Sequence, residues 1–364
     1  MCIFSDGIDM KKVTARSLKT AALIFAFAAF FAASAQAAPG DPAGPAYVYS
    51  NESPSGITAQ YGETVPVVPV GPVTENAGGA ESSALSAENM SSDGVLSGGV
   101  IMFLRNNATR QQQLCGFVKS SDGKTVVIDG GVEQDADHLY NVIKENGGYV
   151  DAWVITHPQT DHVGGLYAML RDHKDIDIRN IYYRFFEYEW YEKVDPEEIG
   201  MLYHLMQVFA EVPAERLHSD IKRNDVIKLS DKLSVRVMND PKKSEGTFAV
   251  NGSGVMYDIT VDGKHLVILG DMSELVGNEH YSEGVLENLA CDYLQVSHHG
   301  QNGVGETFYR VCNPANCIWS TTESIYNAVK GNYKGYLTWL TKEWLSKLNV
   351  KENFTTVNDD VVIR

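Results

Sequence analysis

Cysteine, basic side chains and long apolar runs are scarce in this chain of 364 residues, and each shortage excludes a class of protein. Five cysteines are too few for a scaffold built on disulfides. Because 47 acidic side chains outnumber 30 basic ones, the formal net charge is -17, which disfavours a general nucleic-acid binder. The hydrophobic residues make up 44% of the chain, which is enough for an ordinary globular core.

The first 37 residues have the pattern of a cleaved export signal. A basic start with Lys11 and Lys12 precedes an uncharged apolar run at 21–33 and the small-x-small sequence Ala35-Gln36-Ala37. That run is too short to cross roughly 30 Å of hydrocarbon as a helix, and no later run reaches the about 18 residues that a span needs. We therefore predict a secreted protein, cleaved near Ala37, with no stable membrane span in its mature chain.

Residues 38–97 differ in composition from the rest of the chain. They contain seven of the 12 prolines and seven acidic residues, but neither Lys nor Arg. Such a segment cannot bury enough apolar area to offset the entropy that ordering costs. We predict a flexible linker over 38–97 and a single domain over 98–364, which contains all ten histidines.

Short apolar runs alternate with helical patterns through the predicted domain, which is typical of a layered α/β fold. The predicted strands are Val100–Leu104, Leu114–Lys119, Thr125–Asp129, Val150–Thr156, Leu233–Met238, Val255–Val261, His265–Leu269 and Tyr293–Val296. The predicted helices are His138–Glu145, Val163–Asp172, Pro196–Ala210 and Tyr336–Lys347.

The loop after the strand at 150–156 concentrates residues that can bind a metal. His157, Asp161 and His162 lie within six positions, and Gly164 and Gly165 let the backbone bend so that these side chains converge. Imidazole nitrogen together with carboxylate oxygen suits zinc, manganese or iron. The loop therefore predicts a metal site.

Three more predicted strands end in polar residues of the same kind. These endings are Asp129-Gly130-Gly131, Gly270-Asp271 and Ser297-His298-His299-Gly300. Sheets in α/β proteins place their sites at the carboxyl ends of the strands, so the endings should meet the loop at 156–165.

Taken in order, these motifs resemble those of the metallo-β-lactamase-fold hydrolases. The late His298-His299 pair, together with Asn251-Gly252-Ser253, is most similar to the extracellular hydrolase domain of bacterial DNA-uptake (competence) proteins. The resemblance implies an αββα sandwich. It also implies a site for one or two ions of zinc or manganese.

The resemblance also implies roles for individual residues. The metal ligands are His157, Asp161, His162, Asp271 and His298; the catalytic residues are Asp161 and His299; and Asp129, Gly164 and Gly165 support the loop. The two neighbouring histidines could exchange roles, because the motif does not say which one binds metal. Gln159 departs from the family, which usually has His or, in this branch, often Asp at that position, and an amide oxygen is a weak ligand. Asn251 occupies the neighbourhood of another missing histidine, so one firm site and one loose or empty site are expected.

A metal-activated water implies hydrolysis. We expect cleavage of phosphodiester or related ester bonds in a small-molecule or cell-wall substrate, because the acidic chain lacks a Lys/Arg stripe for nucleic acid. The pocket is expected to include Asn251, Ser253, Tyr188 and Trp190. Nucleic acid remains an alternative substrate, and lactone or β-lactam hydrolysis is another. The alternative from a different class is an exported binding protein on a degenerate hydrolase scaffold.

Overall fold

The computed structural model describes Leu96 and residues 98–364. The predicted export signal and all of the predicted linker except Leu96 lie outside the described residues. Within the described part of the chain, no helix is both long enough and apolar enough to cross a membrane.

Two seven-stranded sheets and one two-stranded sheet are formed by the described residues. In chain order the strands are β1 (Val100–Phe103), β2 (Cys115–Lys119), β3 (Thr125–Asp129), β4 (Tyr149–Val150), β5 (Ala152–Val154), β6 (Asp177–Ile178), β7 (Ile181–Tyr182), β8 (Leu217–His218), β9 (Val226–Lys228), β10 (Leu233–Val237), β11 (Tyr257–Val261), β12 (Lys264–Ile268), β13 (Tyr293–Gln295), β14 (Asn316–Trp319), β15 (Glu352–Thr355) and β16 (Val361–Ile363). The first large sheet has the order β16-β1-β2-β3-β5-β7-β8, and the second has the order β15-β14-β13-β12-β11-β10-β9.

The two large sheets enclose the central core. In β10, Leu233, Val235 and Val237 are buried while Ser234 and Arg236 between them are partly exposed, which is the alternation of a strand with one face on a core. Buried residues of β1, β2, β3 and β5 belong to the same apolar cluster as those of β10 to β12.

Helices cover the outer faces of both sheets. The helices of the described residues are α1 (Ala136–Glu145), α2 (Thr160–Asp172), α3 (Tyr188–Val194), α4 (Ile199–Phe209), α5 (Ala249–Gly252), α6 (Glu274–Ser282), α7 (Glu306–Cys312), α8 (Glu323–Tyr326) and α9 (Thr338–Ser346). Buried side chains of α1, α2 and α4 pack with the outward face of the first sheet, and those of α6, α7 and α9 pack with that of the second. The predicted α/β sandwich is therefore confirmed.

Two boundaries near the metal-binding motif differ from the sequence prediction. The strand predicted at 150–156 is divided into β4 and β5 at Asp151, and the amide of Thr156 donates to the carboxylate of Asp129 instead of a strand partner. Helix α2 begins at Thr160 rather than Val163, so that Asp161 and His162 lie in its first turn.

Candidate metal centre

The predicted strand endings meet at one edge of the sandwich. Strand β3 runs parallel to β5, and β12 runs parallel to β13, so each pair delivers its carboxyl end to the same side. The side chains of Asp161, His162, Asp271 and His299 come together there, and all except Asp161 are buried. The sequence prediction that these separate motifs share one place is thus consistent with the structure.

Two glycines allow helix α2 to pack directly on the loop that follows β3. A Cβ atom on Gly165 would collide with the carbonyl oxygen of Gly130, and one on Gly164 would lie 2.5 Å from the amide nitrogen of Glu133. The amide of Gly165 donates to the carbonyl of Gly131 at 2.9 Å. This close backbone contact fixes the first turn of α2 beside β3.

Asp129 orients the imidazole of His162. Its buried carboxylate accepts hydrogen bonds from the amide and the hydroxyl of Thr156 at 2.6 and 2.8 Å, and lies 2.7 Å from Nδ1 of His162. Burial raises the pKa of Asp129, although His162 opposes the rise. A carboxylate on Nδ1 leaves Nε2 of His162 facing the centre, which is how many metal-binding histidines are held.

His299 is oriented in the same way by a backbone carbonyl. Its Nδ1 lies 2.8 Å from the carbonyl oxygen of Ser320, while its Nε2 lies 3.2 Å from Oδ2 of Asp161 and 3.3 Å from Oδ2 of Asp271. Nε2 of His162 is 3.4 Å from the same Asp271 oxygen. Two imidazoles and two carboxylates therefore point at a common position.

Several buried atoms at this position have no hydrogen-bond partner. They are Nε2 of His162, Nε2 of His299 and Oδ1 of Asp271. Leaving such atoms unpaired is costly in a protein interior, whereas a divalent ion would take all three as ligands. The residues present therefore fit a metal ion, and the sets His157, His162, Asp271 and Asp161, His162, His299 each bring their donor atoms within 4.8 Å of one another.

The charges of the cluster reinforce one another. Burial alone lowers the pKa of His299, but Asp271 and Asp161 outweigh it and raise that pKa to about 10. Burial alone raises the pKa of Asp161, but His162 and His299 hold it at about 2. The carboxylates of Asp161 and Asp271 thus stabilise a positive charge at the centre, which protons or a metal ion can supply.

His298 has different surroundings from its neighbour. Its Nε2 lies 3.6 Å from Oδ2 of Asp271, its Nδ1 has no hydrogen-bond partner, and its ring meets Phe248 edge-on with 5.3 Å between ring centroids. Burial, helped by His299, lowers its pKa. Of the two donor sets that fit a metal, one includes His299 and neither includes His298.

The side of the centre near His157 is filled by a hydrogen-bond network. Oε1 of Gln159 accepts a hydrogen bond from Nδ2 of Asn251 at 2.8 Å and lies 2.9 Å from Nε2 of His157. Nε2 of Gln159 donates to Asp195 at 3.1 Å. Burial, together with the charge of His162, lowers the pKa of His157 to about 3. The amide of Gln159 therefore already has partners on both ends.

Three contributors to the centre had no signal in the sequence. Gln112 donates to Oδ2 of Asp161 at 3.3 Å, Asp195 holds Gln159, and Ser320 orients His299. Each lies 21 or more positions from the residue it contacts. No local motif links such pairs, so only the fold reveals them.

The predicted pocket residues lie in three different settings. Asn251 reaches the centre, where its Nδ2 is also 3.4 Å from Oδ2 of Asp271. Ser253 is buried and donates to the carbonyl of Val250 at 2.7 Å. Tyr188 and Trp190 belong to an apolar cluster of α3 and α4 that also contains Val250, the residue next to Asn251. The cluster therefore adjoins the centre through α5.

Comparison with known proteins identifies the family. A family profile described as the metallo-beta-lactamase superfamily matches residues 108–303, more than half of the chain. The chain belongs to the metallo-β-lactamase superfamily. This confirms the predicted superfamily, and membership together with the donor sets supports a metal-dependent hydrolase.

Individual relatives of this superfamily are distant. ComE operon protein 3 of Bacillus subtilis (strain 168) is 26% identical over 172 residues, which cover 47% of this chain and 20% of that protein. The chain therefore spans about a fifth of that relative's length. Among solved structures, CmlA, a diiron β-hydroxylase from Streptomyces venezuelae, gives 9% identity and a TM-score of 0.48 over 73% of this chain and 54% of that one. The metallo-β-lactamase fold protein YhfI from Bacillus subtilis gives 12% identity and a TM-score of 0.43 over 72% and 98%.

Proposed function

We propose that this chain is an exported, metal-dependent phosphodiesterase. The ion, zinc or manganese, is held by four side chains: Asp161, His162, Asp271 and His299. The observation that carries the proposal is the convergence of the Nε2 atoms of His162 and His299, neither of which has a hydrogen-bond partner, on Oδ2 of Asp271 at 3.4 and 3.3 Å. His298, which the sequence motif alone suggested as a ligand, is assigned to the reaction instead.

We propose a single ion because Gln159 stands where the family usually has a histidine ligand for the first metal. Gln159 is held by Asn251 and Asp195, and an amide oxygen is a weaker ligand than the imidazole that the family usually has there. His157 then acts through Gln159 as part of that network rather than as a firm ligand.

The chemistry divides between the ion and the chain. When bound, the ion supplies a water of lowered pKa and polarises a phosphoryl oxygen. Asp161, whose Oδ2 is held by Gln112, positions the attacking water. His298, which its lowered pKa keeps neutral, donates a hydrogen bond to the negative charge that develops on the leaving oxygen, because its imidazole stands beside Asp271 and its Nδ1 has no other hydrogen-bond partner.

The substrate assignment rests on charge and on the departure at Gln159. An acidic, exported chain suits a small phosphodiester or a phosphodiester of the cell wall better than a long nucleic acid. The network at Gln159 argues against a two-zinc lactamase centre, which makes lactone or β-lactam hydrolysis the weaker candidate.

The direct test measures hydrolysis of bis(p-nitrophenyl) phosphate by the chain purified after secretion from an expression host. We expect turnover with zinc or manganese, loss on chelation, and a fall of at least about 100-fold in kcat/KM for Asp271→Asn. His204→Gln, which changes an exposed histidine of α4, is the matched control and should behave as the unchanged chain. A metal-loaded protein that cleaves nitrocefin or a lactone but no phosphodiester would overturn the assignment.

A further inference from the structure

A polar groove of about 430 Å³ lies between the loop at 105–113 and the segments 321–324 and 356–358. Its lining includes Arg105, Arg110, Thr321 and Ser324, and one carboxylate, that of Glu323. We call it the arginine groove. It contains none of the side chains assigned to the metal centre.

The arginine groove adjoins the metal centre at two points. Gln111 and Gln113 line the groove, and Gln112 between them donates to Asp161. On the opposite wall, Thr321 lines the groove directly after Ser320, whose carbonyl orients His299. A molecule bound at the centre could therefore extend into the groove.

Two lining residues show features that a ligand would explain. Thr321 is only 4% exposed, yet its hydroxyl has no hydrogen-bond partner. Arg110 has a φ of 57°, in the left-handed region that residues other than glycine rarely adopt, and it makes no hydrogen bond or ion pair with any other described residue. Strained backbone of this kind is found at ligand-binding sites more often than elsewhere.

The charge of the groove selects an anion. The lining has two guanidinium groups and a single carboxylate, that of Glu323, in a chain whose net charge is -17. The guanidinium of Arg105 donates to the carbonyl of Asn358, which holds it at the wall. Guanidinium forks match the geometry of phosphate oxygens, and a buried hydroxyl can add a neutral hydrogen bond.

We propose that the arginine groove binds a second phosphate group of the substrate, one that is not cleaved. The inference rests on the proposed phosphodiesterase function and narrows its substrate class to phosphodiesters that carry a neighbouring phosphomonoester. Arg110 and Arg105 recognise the terminal phosphate, and Thr321 donates its hydroxyl to it.

The experiment compares the dinucleotide TpT with its 5′-phosphorylated form pTpT, in both equilibrium binding and hydrolysis by the chain purified after secretion. We expect pTpT to bind about tenfold more tightly and to have a KM lower by about the same factor, because a charge-assisted contact is made in substrate and transition state alike. In Arg110→Asn, whose side chain tolerates the left-handed conformation, the ratio between the two ligands should fall to about one. Arg310→Gln removes an exposed arginine of α7 outside the groove and should leave the ratio unchanged.

The two proposals fail in different ways. Equal binding of pTpT and TpT by the unchanged chain, or a preference for pTpT that persists in Arg110→Asn, would overturn the proposal that the arginine groove binds a phosphate. If neither dinucleotide is cleaved while pTpT still binds more tightly through Arg110, phosphate binding in the arginine groove is supported and the phosphodiesterase function is contradicted.

Discussion

His298 and His299 are adjacent in the chain, but we assign different roles to their imidazoles. Both residues have positive φ values, 51° and 55°, and this turn directs only the Nε2 of His299 toward Asp161 and Asp271 together. The carbonyl of Ser320 fixes the ring of His299, whereas the ring of His298 rests against Phe248. The contacts of each ring therefore decide its role.

Substitution of the two histidines should separate metal binding from stabilisation of the leaving oxygen. We expect His299→Gln to lose the metal, since it replaces an imidazole ligand with a weaker amide. We expect His298→Gln to keep the metal and to lower kcat by about 10²- to 10³-fold, the usual effect of removing a hydrogen-bond donor to a developing negative charge. Metal content and kcat measured on both variants check this. Equal metal loss in the two variants would contradict the assignment.

Asp129 offers a test of the support given to His162. Asp129→Asn keeps the shape of the side chain but weakens its hold on Nδ1 of His162. We expect metal affinity to fall about 10- to 100-fold, as for other residues that orient a metal-binding histidine. Competition with a chelator measures this change. An unchanged affinity would show that His162 needs no such support.

The sequence could predict the metal centre wherever the residues form a local motif. Asp129, Asp161, His162 and Asp271 are recognisable because each stands at the end of a predicted strand or in the loop that follows one. The choice between His298 and His299 could not be made, because adjacent residues share every local signal. Gln112 and Asp195 were not predicted because their contacts join segments 49 and 36 positions apart.

Helix α2 carries the metal-binding motif in its first turn. Its position depends on direct contact between its backbone and that of the loop after β3. Gly164 and Gly165 let the helix lie against the loop after β3. The predicted helix begins at Val163, after the polar residues Thr160, Asp161 and His162. In the structure those polar residues form the first turn, where Asp129 holds His162 and the carboxylate of Glu198 accepts hydrogen bonds from the amide and hydroxyl of Thr160.

A methyl group at Gly165 should disturb this contact. Gly165→Ala places a Cβ against the carbonyl of Gly130, and we expect a loss of about 1–3 kcal/mol in the free energy of unfolding, with weaker metal binding. Gly200→Ala is the control, because nothing lies within 4 Å of its added Cβ at the start of α4. That change should leave stability equal or raise it by up to about 1 kcal/mol. Urea unfolding of both variants checks the difference, and equal stability would contradict the close contact.

The two ends of the described domain are joined through His138. Strand β16 pairs with β1, and just before β16 the carboxylate of Asp360 lies 3.0 Å from Nε2 of His138 on α1. Asp135 lies 3.4 Å from the Nδ1 of the same ring. These two carboxylates, Asp135 first and then Asp360, raise the pKa of His138 to about 10.

This raised pKa predicts how stability changes with pH. His138 is charged in the folded chain up to about pH 10 but only up to about pH 6.5 when unfolded, so its contribution is complete below the lower value. It is lost as the pH rises toward the higher value. We expect His138→Gln to cost about 2 kcal/mol near pH 6 and progressively less toward pH 10, measured by urea unfolding. A cost that does not change with pH would show that the charge of His138 is not involved.

The sandwich as a whole was predictable because its strands are short, apolar and separated by clear turns. The αββα layers follow from burial on both faces of each sheet, and the family profile over 108–303 agrees with them. The arginine groove was not predictable, because Arg105 and Arg110 follow β1 of the first sheet whereas Thr321 follows β14 of the second, and only the packing of the two sheets brings them together.

Binding of one divalent ion by Asp161, His162, Asp271 and His299 is the basis of every role assigned at this centre. Its most direct test is elemental analysis of the protein purified after secretion and dialysed without chelator, beside the Asp271→Asn variant. We predict about one zinc or manganese per chain in the unchanged protein and below about a tenth in the variant. Less than about a tenth of an ion per unchanged chain, after both metals have been offered, would show that these side chains hold no metal and would favour a binding protein on this scaffold.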